Sequence, residues 1–177
     1  MAIDRIKSWQ AGLAQMGDLV RQVRQSHALE HATIHILSQR YPGLQLMGRS
    51  TPGSFYLYGD VPTDLAASAA SEALARLQAG EMALAVHPRC GTNLAVSALL
   101  AGTAAMLAIG RRRRSFWMQA PDVFLAVSLA LFLAQPLGYS VQSRITTLTD
   151  VRDVRIASIC RQSLGQRIAH RIDLQRD

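Results

Sequence analysis

Cysteine is nearly absent from this sequence: its 177 residues contain two, Cys90 and Cys160. So few, so far apart, exclude both a disulfide-stapled scaffold and a paired CxxC zinc ribbon. The opening MAIDRIKSWQ is amphipathic and lacks an uninterrupted apolar run, so no cleavable signal peptide is expected. Internal repeats are missing too, and Arg111 to Arg114 is the sole low-complexity stretch. The most informative absence is of charge. Cys90 to Gly110 and Val123 to Ser143, 21 residues each, contain no Asp, Glu, Lys or Arg.

At about 1.5 Å rise per residue, each charge-free run is long enough for a hydrocarbon core of roughly 30 Å. The alternative is a buried helical hairpin in a water-soluble protein, because the first run is rich in Ala and Gly and Gln135-Pro136 interrupts the second. The expectation is a multi-pass cell-membrane protein with two transmembrane helices and the lipid bilayer as partner. Small residues Ala98, Ala101, Gly102, Ala104 and Ala105 suit close helix packing and make a homo-oligomer an option.

The remaining composition, 49% hydrophobic and 18% charged, excludes a disordered chain. A net charge of +7 would suggest nucleic acid if the basic residues formed one patch. Instead four arginines are consecutive and precede Phe116 and Trp117, the build of a membrane-surface loop. There is no basic strand interleaved with aromatics and no recognition-helix pattern, so no nucleic-acid partner is expected.

Apolar residues Ile6, Trp9, Leu13, Met16, Val20 and Val23 alternate spacings of three and four, which predicts a helix with one buried seam. Extended, the seam reaches His27, Glu30, Ile34 and Leu37, with a division expected near Gly17 or Ser26 and an end at Tyr41-Pro42-Gly43. Leu44–Met47 and Ser54–Tyr58 read as strands around a turn at Ser50 to Gly53. A helix follows from Thr63 to Gln78, capped by Thr63 or Asp64, then a third strand from Glu81 to His87. Thr92 or Asn93 is the expected cap of the first apolar helix. Val154 to Leu174 fits an amphipathic helix with Ile156, Cys160, Leu164, Ile168 and Ile172 four apart, although its first five residues suit a strand equally.

The expected class is therefore α+β: a long N-terminal helix and a small sheet of about three strands plus a helix, joined to a two-helix hairpin. The expected division is 1–24 amphipathic helix, 25–93 α+β metal-site domain, 94–143 transmembrane hairpin and 144–177 C-terminal amphipathic segment.

His27-Ala28-Leu29-Glu30-His31 has the form H-x-x-E-H. On a helix this places two imidazoles one turn apart on one face, able to bind one metal ion, with a carboxylate beside them. The bland alternative is a core histidine and a surface glutamate. A second cluster, His87 and Cys90, arrives at a turn ahead of an apolar helix, whose N-terminus favours a thiolate. Here the bland reading is a tight Pro88–Gly91 turn with a small buried Cys90.

The segments HALEHATI (His27 to Ile34), HPRCGTNL (His87 to Leu94) and ITTLTDVRDVRIASI (Ile145 to Ile159) together resemble a bacterial membrane-protein family of unknown function, described as predicted metal-dependent enzymes. That family carries HGAEHKTI, then HPRCGTSF, an apolar hairpin and a Thr-Thr segment. The resemblance spans roughly residues 25 to 160 and implies His27, Glu30, His31, His87 and Cys90 as site residues. Ala32 stands where the family has Lys, and His35 has no counterpart and is expected to be exposed.

Three readings follow. In the first, a membrane-associated zinc peptidase-like hydrolase, Zn or another divalent transition metal is held by His27 and His31 with His87 or Cys90. Glu30 is its general base, and the substrate is a peptide or membrane protein. Ligation by all four, His27, His31, His87 and Cys90, would close the shell and make the site structural. In the second, Cys90 is a nucleophile in a metal-free thiol hydrolase. The third is a non-enzymatic membrane module with a structural metal site. Asp60, Asp64 and Glu72 are expected to be turn, cap and surface residues, His170 to be solvated, and Asp150 and Asp153 to pair with Arg144, Arg152 or Arg155. The arginine loop favours a cytoplasmic hairpin turn, whereas the preceding domain favours a cytoplasmic site, and the latter is the side expected.

Overall fold

The computed structural model describes residues 2–110, 115–164 and 167–177. The loop Arg111 to Arg114 and the side chain of Phe116, read above as a membrane-surface feature, lie outside the described residues. The chain divides into two compact units, residues 1–86 with 147–177, and residues 87–146.

The first unit is α+β, as expected. Helix α1 (Ala2–Arg40) runs unbroken, so neither Gly17 nor Ser26 divides it. Its stability comes from its second half, where Ala28, Leu29, Ala32, Ile36 and Leu37 are buried. Strands β1 (Met47–Ser50) and β2 (Ser54–Tyr58) form a hairpin. Thr51 N–H and hydroxyl both donate to the Ser54 carbonyl at 2.8 Å and close its turn. β1 starts where the sequence pattern places its end, because Leu44 N–H is spent in a turn bond to Tyr41 O at 3.1 Å. Helix α2 (Thr63–Gln78) has the expected bounds, but Pro62 stands at its N-cap and no side chain caps it.

The stretch read as a third strand is a 3-10 turn, Met82–Ala85. Its apparent alternation came from small alanines. Leu84 N–H bonds Glu81 O and Val86 N–H bonds Ala83 O, so the backbone is satisfied locally and needs no neighbouring strand.

The C-terminal amphipathic helix is overturned as well: Val154–Leu164 is strand β3 and Arg167–Arg176 is strand β4. A spacing of four is even, so it keeps residues on one face of a strand nearly as well as on one face of a helix. β4 inserts between β2 and β3, giving an antiparallel sheet of order β1-β2-β4-β3. Phe55, Leu57, Ile172 and Leu174 of the sheet meet α1 and the alanine face of α2, Ala66, Ala69, Ala70 and Ala73. Such small side chains let the two helices approach closely.

The second unit is a pair of packed helices, α3 (Gly91–Ile109) and α4 (Phe116–Val141), ending in a π-helical turn, Gln142–Thr146. Pro136 lies inside α4 without breaking it. The apolar segments Gly91–Ile109 and Trp117–Thr146, mean hydropathy 1.7 each, are long and apolar enough to cross a membrane. Their large side chains face outward, among them Leu94, Leu99, Met106, Phe124 and Phe132.

Candidate metal centre

The three functional side chains of the first motif leave α1 on two sides, His27 and His31 together and Glu30 apart. His31 is buried, and its Nδ1 lies 2.7 Å from the carbonyl of Ala85 in the 3-10 turn. A carbonyl only accepts, so Nδ1 carries the proton and, in the neutral ring, the lone pair belongs to Nε2. His27 stands one turn earlier with its ring edge-on to His31, centroids 4.2 Å apart, and one ligand nitrogen of each lies within 4.8 Å of the other.

Glu30, between them in sequence, is 5% exposed and turns to the sheet. Ser50 of β1 donates its hydroxyl to Oε2. Gly48, two residues earlier on the same face of β1, leaves the space that the carboxylate fills, since a Cβ there would collide with Oε1, Cδ and Cγ. Neither Gly48 nor Ser50 carries a signal in the sequence. Ala32, the position of the Lys in the resembling family, is fully buried, where an ammonium would have to shed its water. His35, expected to be exposed, is half-buried, and its Nδ1 is among the buried atoms without a hydrogen bond.

In the second unit the HPRC turn is built around its own donors. Cys90 N–H bonds His87 O at 3.3 Å, and Arg89 N–H donates to His87 Nδ1 at 3.2 Å. That contact makes Nδ1 an acceptor and gives the neutral His87 its proton on Nε2. Cys90 itself, not Thr92 or Asn93, is the N-cap of α3: its Sγ accepts Thr92 N–H at 3.3 Å. A sulfur in this place faces the positive end of the helix dipole.

Gln142, fully buried, holds the turn from α4: its Oε1 accepts His87 N–H at 3.0 Å and its Nε2 donates to Asn93 Oδ1 at 2.6 Å. Asn93 in turn donates to Pro88 O at 2.9 Å. Gly138 makes this possible, because a Cβ there would run into Asn93. The sequence reading gave Gln142 no role, although an amide at the very end of an apolar run is the signal that could have found it.

Within the first unit, His27 and His31 bring two imidazole nitrogens close enough to serve one metal ion. Imidazole nitrogens suit a borderline-soft divalent ion such as zinc.

Asp150, Asp153 and Glu72 make structural contacts. Asp150 receives both Nε and Nη2 of Arg152 at 2.9 Å, which holds its carboxyl down at about 2. Asp153 pairs with Arg21 at 3.1 Å and accepts from buried Gln25 at 2.8 Å, tying the start of β3 to α1. Arg155 instead bridges Asp177. Glu72 bridges Arg40 and Arg76 at the surface. His170, expected to be solvated, is on β4 and fully buried, with Thr63 Oγ1 3.0 Å from its Nε2. Burial pushes its pKa down, and Arg161 adds to the effect.

Residues 22–159 match the family model described as Domain of unknown function (DUF6391). An uncharacterized protein of Picosynechococcus sp. is 39% identical over 134 residues, an alignment covering 71% of this chain. The chain spans 65% of that relative's length. No solved structure matches.

Proposed function

This chain belongs to the DUF6391 family, a domain of unknown function, and we propose that it is a membrane-associated, metal-dependent hydrolase. In this reading His27 and His31 hold a divalent transition ion with His87 or Cys90 as a further ligand, and zinc is the best match to such donors. The observation carrying this reading is the His31 bond to Ala85 O beside the edge-on ring of His27. A core histidine needs only to be satisfied, whereas this contact presents Nε2 in the ligating tautomer.

When bound, the ion supplies Lewis acidity to a polarised carbonyl and to water. Glu30 is the general base of this reading. Ser50 orients its Oε2 and Gly48 gives it room, so the carboxylate is held in place before it takes a proton. His87 sits in the same turn as Cys90 and is the candidate for a further ligand or proton carrier. The substrate class is a peptide or membrane protein. Helices α3 and α4 cross the cell membrane, with the site on the cytoplasmic side.

A second reading, a structural metal site in a non-enzymatic module, draws on the Gln142 clamp, which rigidifies the Cys90 turn as a structural site requires. A metal-free thiol hydrolase draws on Cys90 at the α3 N-terminus.

Elemental mass spectrometry of the full chain in mild detergent separates these. The hydrolase predicts near-stoichiometric zinc in the wild type and in Glu30→Gln, loss in His27→Ala and Cys90→Ser, and peptide cleavage abolished by Glu30→Gln. Metal bound with no cleavage of a diverse peptide library favours the structural site. If no metal is retained, and added Zn²⁺ leaves the melting temperature unchanged, the metal reading is wrong and thiol reactivity at Cys90 becomes the next test.

A further inference from the structure

The first half of α1 carries an apolar seam that its own unit does not cover. Trp9, Leu13, Met16 and Val20 are 57 to 72% exposed, although they continue the register that buries Leu37 further along the helix. Their spacing of four, three and four is the a/d pattern of a coiled coil, with Leu13 and Val20 at a and Trp9 and Met16 at d. This segment precedes residue 22, where the family match begins. From this surface we infer that α1 pairs with α1 of a second copy of the chain, parallel and in register.

The flanking positions of the seam choose the occupant. In a parallel pair each g residue faces the e residue of the partner's next heptad. Here that sets Gly12 against Gly17 of the second copy, twice by symmetry. Both glycines are in a helix interior, where each costs about 1 kcal/mol relative to Ala. Among the described residues nothing lies within 4 Å of where a Cβ of either would stand, so their own unit gives no reason for them. Facing each other across a dimer seam, they permit close approach of two backbones.

Charge points the same way. From Ser8 to Val20 the only charged residue is Asp18, at the outward f position. The a, d, e and g positions there carry no like charges to repel a second copy. An anionic membrane surface, by contrast, is drawn to helices with Lys and Arg along the polar face, and between Lys7 and Arg21 this stretch has none.

The test uses the full chain in mild detergent on a Cys160→Ser background. Leu13→Cys, at position a, is expected to cross-link to a dimer on mild oxidation, while Ala11→Cys, at the outward f position, does not. Adding Gly12→Leu and Gly17→Leu is expected to abolish that cross-link without lowering the melting temperature, because each added side chain enters open space in the single chain. Equal cross-linking at both positions, or a dimer that survives both leucines, overturns the inference. So does a Leu13→Cys protein that stays monomeric, and Trp9 fluorescence quenched by brominated lipid in a Trp117→Phe variant would then assign the seam to the bilayer surface.

Discussion

The carboxylate of Glu30 occupies the space that a side chain at Gly48 would need. Glycine is required there by a close approach, not by a backbone angle, since Gly48 is not among the positive-φ glycines. Gly48→Ala therefore forces either the carboxylate or β1 to move. Overpacking of this kind costs about 1–3 kcal/mol, and the expected result is a lowered melting temperature. If Glu30 is the base, the variant also loses hydrolysis while keeping its metal, since neither Gly48 nor Glu30 is a proposed ligand.

Ser50→Ala tests the same carboxylate without a steric insult. It removes the hydroxyl that donates to Oε2 and leaves a largely buried carboxylate with one donor fewer, a loss of about 1–3 kcal/mol. Ser50→Thr keeps the hydroxyl and is expected to recover most of the stability. Both values follow from thermal unfolding of the full chain in detergent.

Gln142 holds the Cys90 turn through His87 and Asn93 together. Gln142→Ala releases both partners, and Cys90, now 8% exposed, becomes reachable. Maleimide labelling is expected to speed up at Cys90 and stay constant at Cys160, which is already exposed and serves as the internal reference. An unchanged Cys90 rate would mean that the turn holds its shape without the amide.

The sequence made the local features readable and hid the long-range ones. Helix α2 and strand β2 have their expected bounds, because turns and apolar periodicity act within a few residues, although the cap expected of Thr63 or Asp64 is not made. The one-turn pairing of His27 and His31 follows from helix geometry alone. The seat of Glu30 on Gly48 and Ser50 is a tertiary contact and leaves no periodic trace. Neither does the grip of Gln142 on a turn more than fifty residues earlier. The C-terminal hairpin was missed for a different reason: a spacing of four is shared by both periodicities, and the buried face of β4, His170, Ile172 and Leu174, alternates by two only over three residues.

His170 gives the fold a pH dependence with a definite sign. Its ordinary value is 6.5, and burial, followed by Arg161, lowers it in the folded chain. As pH falls below 6.5 the unfolded chain takes up a proton that folded His170 still refuses, so the unfolded state binds more protons and is favoured. The contribution of neutral His170 is thus fully present above about 6.5 and lost as pH falls through the lower folded value. The measurement is the difference between the wild type and His170→Gln, which isolates this ring. Gln keeps a polar partner for Thr63 but does not titrate. The wild type is expected to lose more melting temperature than His170→Gln between pH 8 and pH 5.5, roughly the window set by an ordinary histidine. Parallel pH profiles would show that the buried ring is already satisfied in its charged form.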